Sequence, residues 1–236
     1  MNHEKSIRMI IEEMNRYYEA RAPWHDQYMS YTSIDNMEAL LSPIIVTCEP
    51  MITGKKVLEI ACGTGNWTQV LAKRALSVVA VDISSSALEM AKQKLVDYQN
   101  VRLIECDAYR LDSIEEKFEA AFSADWWSHI PKRILPDFIA SVNRRLYPGS
   151  PVIGIDMIFR DVFAKESCYY DSDNNRVSRR TLPDGTPFNV IKNFPGETEL
   201  RAVLDPFASD IVYYSFDSLK RWGFKYTANS LTRDCD

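Results

Sequence analysis

From Lys56 onward the sequence alternates short apolar runs with segments of helical periodicity. The runs are "KVLEIA", "SVVAVDI", "VRLIECD", "FEAAFSA" and "PVIGIDMI", and the periodic segments are "NWTQVLAKRA", "SSSALEMAKQKLVDY" and "LPDFIASVNRRL". Strands that alternate with helices form parallel β-α-β units. We therefore predict an α/β fold with a Rossmann-like, doubly wound sheet. We also predict that Ser86 and Glu89 form a capping box at the start of the second of these helices.

The segments on either side break this rhythm. We predict a helix over residues 3–20, followed by the aromatic stretch "YYEARAPWHDQYMSY". After residue 160, "RDVFAKESCYYDSDNNRVSRR" is polar and predicts a loop, and "RRTLPDGTPFNVIKNF" predicts a hairpin around Pro-Asp-Gly. A helix, "ETELRAVLDPFA", and two antiparallel edge strands, "DIVYYSF" and "GFKYTAN", complete a predicted seven-stranded sheet. We expect a single domain over 1–236, with a helical arm over 1–50, a core over 51–158, an insertion over 159–196 and a C-terminal part over 197–236.

Composition narrows the possible partners. The formal net charge of −5 disfavours a nucleic-acid partner, which usually requires a basic face. The start of the chain has no apolar segment typical of a signal peptide, and no stretch of about 18 apolar residues predicts a membrane span. The five cysteines are scattered without a C-x-x-C spacing, so we predict neither a metal site nor a disulfide framework. We expect a cytoplasmic protein that binds neither nucleic acid nor membrane.

A glycine turn follows the first predicted strand. Its spacing, Gly63 then Gly65 then Thr68, lacks the third glycine of the dinucleotide fingerprint G-x-G-x-x-G. Glycines at this point let backbone N–H groups approach a ligand closely. Asp82 ends the second strand, where a carboxylate can accept hydrogen bonds from ribose hydroxyls. Asp107 ends the third strand, where an acid can accept from an adenine amine.

Glu59, four residues before the first glycine, discriminates between ligands. A carboxylate there would repel a pyrophosphate and attract an ammonium group. Ribose, adenine and an ammonium without phosphate describe S-adenosylmethionine (SAM). An ordinary buried or paired carboxylate is the alternative for Glu59. A dehydrogenase is disfavoured by Thr68 and Glu59 together.

Residues for a second substrate are predicted in three segments. His129, in "ADWWSHIP", could take a proton from an acceptor or could simply hold a loop. Trp126 and Trp127 could wall a pocket, but at least one of them is expected in the core, because adjacent side chains at a strand end point opposite ways. In the arm, the aromatic rings could attract a sulfonium or could pack the arm onto the sheet; they are Tyr18, Tyr28 and Tyr31. Cations of the predicted hairpin could bind an acidic acceptor or could form a solvated charged surface; they are Arg179, Arg180 and Lys192. Because Arg179 and Arg180 are adjacent, we expect only one of them to enter a pocket.

The segments "VLEIACGTG" and "ECDA", with Asp82, resemble the motifs of class I SAM-dependent methyltransferases. With "GTGNWT", "SADWWSHIP", "RRTLPDGTPFNVIKNF" and "YYEARAPWHD", nearly the whole chain is similar to small-molecule O-methyltransferases of the dehydrophos (phosphonate) type. This resemblance implies SAM as cofactor, S-adenosylhomocysteine (SAH) as product, and Tyr28 beside His129 as catalytic residues. It also implies a cofactor site that takes in, besides the residues above, Tyr18, Arg21, Ala61, Ile83, Ala108 and Ala124.

The prediction for function is methyl transfer from SAM to a small-molecule acceptor, an anionic one that is methylated on oxygen. One alternative is N-methylation of a small amine or a peptide terminus, in which His129 would matter more than the arginines. Another is a SAM-binding module without catalysis. That module would require bulky apolar side chains filling the space beside the sulfonium.

Overall fold

The computed structural model describes residues 3–29 and 33–229. Seven strands of this described part form one mixed sheet, as the sequence predicts. Its parallel strands are β1 Lys56–Ile60, β2 Ser77–Asp82, β3 Val101–Glu105, β4 Ala120–Ala124 and β5 Pro151–Met157, and its antiparallel strand pair is β9 Ala208–Phe216 and β10 Arg221–Ala228.

The order of strands in this sheet is β3-β2-β1-β4-β5-β10-β9. β1 lies between β2 and β4, so the order reverses there, and ligands of open α/β sheets bind at such a switch point. β10 runs antiparallel to both β5 and β9, which confirms the predicted antiparallel pair at the sheet edge.

Helices cover both faces of the sheet. Two buried apolar clusters pack there, one that includes Phe138 and Ile139 and one that includes Ile44 and Leu71. The helices are α4 Ser42–Ile52, α5 Asn66–Ala72, α6 Ser85–Lys94, α7 Leu135–Arg144 and α9 Glu197–Leu204. The predicted capping box of α6 is wrong. Ser84 caps the helix by accepting from the Ala87 N–H, while Ser86 bonds to Glu19 of the arm.

The polar segment after β5 is structured, so its prediction as a loop is wrong. It contains α8 Asp161–Ala164 and β6 Cys168–Tyr170. β6 pairs with β7 Arg176–Thr181, which also pairs with β8 Pro187–Ile191 around the predicted turn. Backbone pairing therefore orders a segment that has few apolar side chains to bury.

The N-terminal arm consists of α1 His3–Arg21, α2 His25–Met29 and α3 Ile34–Leu40. α1 lies on β8, where Met14 and Tyr17 share a buried apolar cluster with Val190. No helix in residues 3–29 or 33–229 is both long and apolar enough to cross a bilayer. The division of the chain into arm, core and insertion within one domain stays a prediction.

Candidate active site

A cavity of about 610 Å³ lies at the carboxyl ends of β1 to β4, beneath the arm and the insertion. Its size falls within the range of about 300–1,000 Å³ that is typical of small-molecule sites. It is lined by residues predicted for the site, which are Tyr18, Arg21, Tyr28, Ala61, Gly63, Asp82, Ile83, Asp107, Ala108, Ala124, Trp126, His129, Arg179, Arg180 and Lys192. Three predicted residues, Glu59, Gly65 and Trp127, do not line it, and Tyr31 lies outside the described residues.

Asp82 stands at the centre of the cofactor end. Its carboxylate accepts from the Gly63 N–H at 2.7 Å and from the Ser84 N–H at 2.9 Å. Burial raises the pKa of Asp82 above its ordinary value, and these backbone hydrogen bonds oppose the shift. Each oxygen keeps a lone pair that can accept from a ligand hydroxyl. Asp107, at the end of β3, accepts from the Tyr109 N–H at 2.9 Å and also faces the cavity.

The two glycines of the turn have different surroundings. Both have positive φ, at +55° for Gly63 and +80° for Gly65. A Cβ on Gly63 would meet nothing within 4 Å, which leaves this side of the turn open to a ligand. A Cβ on Gly65 would lie 2.9 Å from the Ala91 Cβ, so Gly65 allows the turn to pack against α6. The predicted ligand contact of Gly65 is thus corrected to a packing role.

Glu59 is the second correction. Its side chain is buried beneath the turn, with 2% of its surface exposed, and it does not reach the cavity wall. Burial and then the charge of Asp82 raise the pKa of Glu59 to about 8. Its Oε2 has no hydrogen-bond partner among the described residues. A raised pKa favours the neutral form of this buried acid, which weakens any direct attraction of a cofactor ammonium.

An acid of the arm fastens it to the glycine turn. The Asp26 carboxylate accepts from Thr64 Oγ1 at 2.7 Å and Asn66 Nδ2 at 2.9 Å, and it pairs with Lys94 Nζ at 2.6 Å. Burial opposes the charged form, but the hydrogen bond with His25, followed by those with Lys94, Thr64 and Asn66, outweighs it and holds the pKa of Asp26 far below its ordinary value. The arm thus covers the cofactor end of the cavity.

His129 is buried and hydrogen-bonded on both ring nitrogens. Its Nδ1 lies 2.5 Å from the Ile191 carbonyl oxygen, which requires an N–H at that position. Nε2 is then an acceptor, and the Tyr18 hydroxyl donates to it at 3.0 Å. Burial, followed by the charges of Lys192 and Arg180, holds the pKa of His129 well below its ordinary value. His129 is therefore a neutral, weak base whose lone pair Tyr18 already occupies.

Lys192 faces the cavity but its charge is neutralised from behind. Its Nζ lies 2.9 Å from Asp156 Oδ1 and 2.6 Å from Ser128 Oγ. Asp156 is fully buried and also accepts from the Ser128 and Met157 N–H groups. Sequence analysis missed Asp156, although it follows the rule of acids near strand ends that found Asp82.

Arg179 and Arg180 both line the cavity, which contradicts the expectation that only one of them enters it. Arg180 lies 3.9 Å from Glu166, which Arg176 approaches more closely at 3.3 Å. Arg179 is exposed and makes no ion pair within the described residues.

The two tryptophans after β4 lie in different surroundings. Trp126 lines the cavity, and its Nε1 is buried with no hydrogen-bond partner in the described part of the chain. Trp127 is the third correction, because it lies in the core, where its Nε1 donates to Ser123 Oγ at 2.7 Å and its ring packs on Phe138 and Phe224. A local 3₁₀ turn, Trp127–His129, directs the two rings apart.

Comparisons with known proteins agree with this geometry. Residues 57–149 match the family described as a methyltransferase domain. A demethylmenaquinone methyltransferase of Staphylococcus aureus strain MRSA252 is 29% identical over an alignment of 165 residues, and the match covers 64% of this chain and 66% of the relative. The aligned part thus spans just under two thirds of that relative's length.

Two solved structures extend the similarity beyond the family segment. The DhpI–SAH complex has a TM-score of 0.74 and 26% identity, and the match covers 94% of this chain and 98% of that one. The DhpI–SAM–HEP complex has a TM-score of 0.73 and 25% identity, with 92% and 97% covered. Because the shape agrees over nearly the whole chain and the matched segment contains the strands of the cofactor end, these comparisons support a SAM-dependent methyltransferase of the class I fold, with SAH as the product.

Proposed function

We propose that this methyltransferase transfers the methyl group of SAM to an oxygen of a small anionic acceptor, such as a carboxylate or a phosphonate. The observation that carries the proposal is the uneven charge of the cavity. Asp82 and Asp107 line one end, while Arg179 and Arg180 line the other. Among the described residues, Glu166 is the one acid that lines the cavity beside these arginines, 3.9 Å from Arg180. The charge of the neighbouring Lys192 is balanced by Asp156. Arginine forks suit the planar or multidentate oxygens of such acids.

The chemistry fits the groups that are present. In the transfer, an acceptor oxygen forms a bond to the methyl carbon while the bond from that carbon to sulfur breaks. The electron pair stays on sulfur, so an anion and a sulfonium become a neutral ester linkage and SAH. An ionised acceptor releases no proton, so the enzyme mainly has to align the reactants and exclude water. A weakly basic His129 is sufficient for that reaction.

The same residues argue against the alternatives. An amine acceptor that must lose a proton needs a base with a pKa near the working pH, and the pKa of His129 is held well below that range. A module without catalysis would have its acceptor space filled by apolar side chains. In this structure the cavity continues from Asp82 to Arg179.

The structural neighbour offers independent support. DhpI has been solved with SAM and HEP in one complex, so a chain of closely similar shape accommodates the cofactor together with a second small molecule. We propose that Tyr18, Arg21, Ala61, Gly63, Asp82, Ile83, Asp107, Ala108 and Ala124 surround SAM here. The proposed acceptor residues are Tyr28, Trp126, His129, Arg179, Arg180 and Lys192.

The test is SAM-dependent turnover of simple acids, followed as SAH formation, in wild type and in Arg179→Gln and Arg180→Gln. Each variant should lower kcat/KM for the acid about tenfold or more, while SAM affinity stays nearly constant. Arg102→Gln removes the same charge from an exposed side chain on β3, and it should leave both kcat/KM and SAM affinity unchanged. A large loss in His129→Gln, with both arginine variants silent, would reject the anionic acceptor in favour of one that needs a base.

A further inference from the structure

A second, smaller cavity of about 280 Å³ adjoins the first. The two cavities share four residues in their walls, and these are Tyr28, Met29, Met157 and Arg160. A ligand bound at the acceptor end therefore has space to continue past Arg160. Sequence analysis did not single out this arginine, because it follows β5 in a segment without a recognisable motif.

Arg160 stands at the junction without a carboxylate partner among the described residues. Its guanidinium lies 5.2 Å from the Phe163 ring centroid, and its Nη2 approaches the Met157 sulfur at 3.7 Å. Its Nε is buried and donates to no acceptor in the described part of the chain. A buried N–H of this kind is costly unless a ligand or water accepts from it.

The second cavity also favours an anion by its charge. It is lined by Arg160, Lys220 and Arg221, and by no acidic residue within the described ranges. Asp125 pairs with Arg221 at 2.6 Å and neutralises that cation. Lys220 is exposed and forms no ion pair within residues 3–29 and 33–229. Arg160 and Lys220 are thus two uncompensated positive charges around one small cavity.

We infer that the acceptor carries a second anionic group, which Arg160 binds at the junction while Lys220 contributes charge from the rim. This inference rests on the proposed function, since it deepens the description of the acceptor. The reacting acid would lie at Arg179 and Arg180, and the distal acid would extend into the smaller cavity. The acceptor class is then an elongated diacid. The SAM carboxylate has a different cation available, because Arg21 lines the main cavity and no carboxylate pairs with it in the described chain.

The test uses matched pairs of acids that differ only in a terminal group. Alkylphosphonates are compared with the same chains ending in a carboxylate, over spacers of two to five methylenes. At one spacer length or more, the wild type should prefer the diacid in kcat/KM by at least tenfold. Arg160→Gln should abolish that preference and change turnover of the monoacid by less than threefold. Lys220→Gln should reduce the preference partly, and Arg102→Gln should leave it intact.

Other outcomes overturn the inference and are distinguishable from failure of the proposed function. If monoacids are turned over but diacids are never preferred, or if Arg160→Gln keeps the preference, the second anion subsite is wrong while the proposed function stands. If Arg160→Gln weakens SAM instead, Arg160 serves the cofactor and the inference fails. If no acid is turned over, the proposed function fails. In that case, calorimetry measures the affinity of the diacids for SAH-saturated protein. The second anion subsite requires that the wild type bind them more tightly than Arg160→Gln does.

Discussion

The two ends of the main cavity are built in different ways. The cofactor end is formed by short segments that follow β1 to β4, with Asp82 as the last residue of β2 and with Gly63 and Asp107 within three residues after β1 and β3. The acceptor end gathers side chains from the arm, from β7 and from the residue after β8, which include Tyr28, Arg180 and Lys192. Backbone geometry fixes the first end, whereas tertiary packing fixes the second. Side chains at the acceptor end can therefore change without disturbing the cofactor end that would bind SAM.

The largest expected effect lies at the acceptor end. Asp156→Ala should lower the free energy of unfolding by about 3–5 kcal/mol, because Lys192 would remain buried without its counter-charge. Urea denaturation followed by circular dichroism measures this. Glu197→Ala breaks an exposed pair with Arg201 and should cost less than about 1 kcal/mol.

A double variant separates the ion pair from simple loss of packing. Asp156→Leu with Lys192→Met removes both charges and should recover much of the lost stability. If the double variant were as unstable as Asp156→Ala, the buried charge would not be the cause.

The next effect sharpens the role of the cofactor end. Asp82→Ala should weaken SAM binding by about 1.5–3 kcal/mol, or tenfold to a hundredfold, because both the ribose hydroxyls and the glycine turn lose their acceptor. Isothermal titration calorimetry measures it, with the exposed acid variant Asp97→Ala as the control. Unchanged affinity would remove Asp82 from the cofactor site.

A third prediction concerns pH and the buried acid beneath the turn. The pKa of Glu59 is raised by burial to about 8 in the folded protein, so its stabilising contribution is complete below its unfolded pKa of about 4.5. That contribution is lost as the pH rises through 8, at about 1 kcal/mol between pH 7 and pH 8. Glu59→Gln should therefore flatten the pH dependence of unfolding in SAM-free protein. The exposed variant Glu105→Gln should leave the slope as it is in the wild type.

The smallest expected effect concerns the contact by which Asp26 fastens the arm to the glycine turn. Asp26→Asn keeps the shape of the side chain but removes its charge from Lys94. Because Asp26 is partly exposed, solvent screens the pair, and we expect SAH to dissociate only about two- to fivefold faster. Stopped-flow measurement of SAH release can detect this. A rate equal to that of the wild type would mean that the arm does not control exit from the cofactor end.

Sequence reasoning was most successful in finding cavity-lining residues whose place follows from their position along one strand. Asp82 and Asp107 could be found because the carboxyl ends of parallel strands converge at one edge of the sheet. Glu59 and Gly65 belong to the same motif, yet their placement depends on neighbours. Glu59 packs beneath the turn, and Gly65 is held by the approach of Ala91 on α6. Spacing along the chain reveals neither contact.

The sequence by itself determined the alternation of strands and helices and the cofactor, because these depend on local periodicity and on residues that follow strands directly. Only the tertiary structure decided the state of the charges at the acceptor end. Lys192 is neutralised by Asp156, 36 residues away along the chain, while Arg160 keeps its charge uncompensated at the junction of two cavities. The physical reason is that Coulomb energy and desolvation depend on distance in space and on burial, which separation along the chain does not reveal.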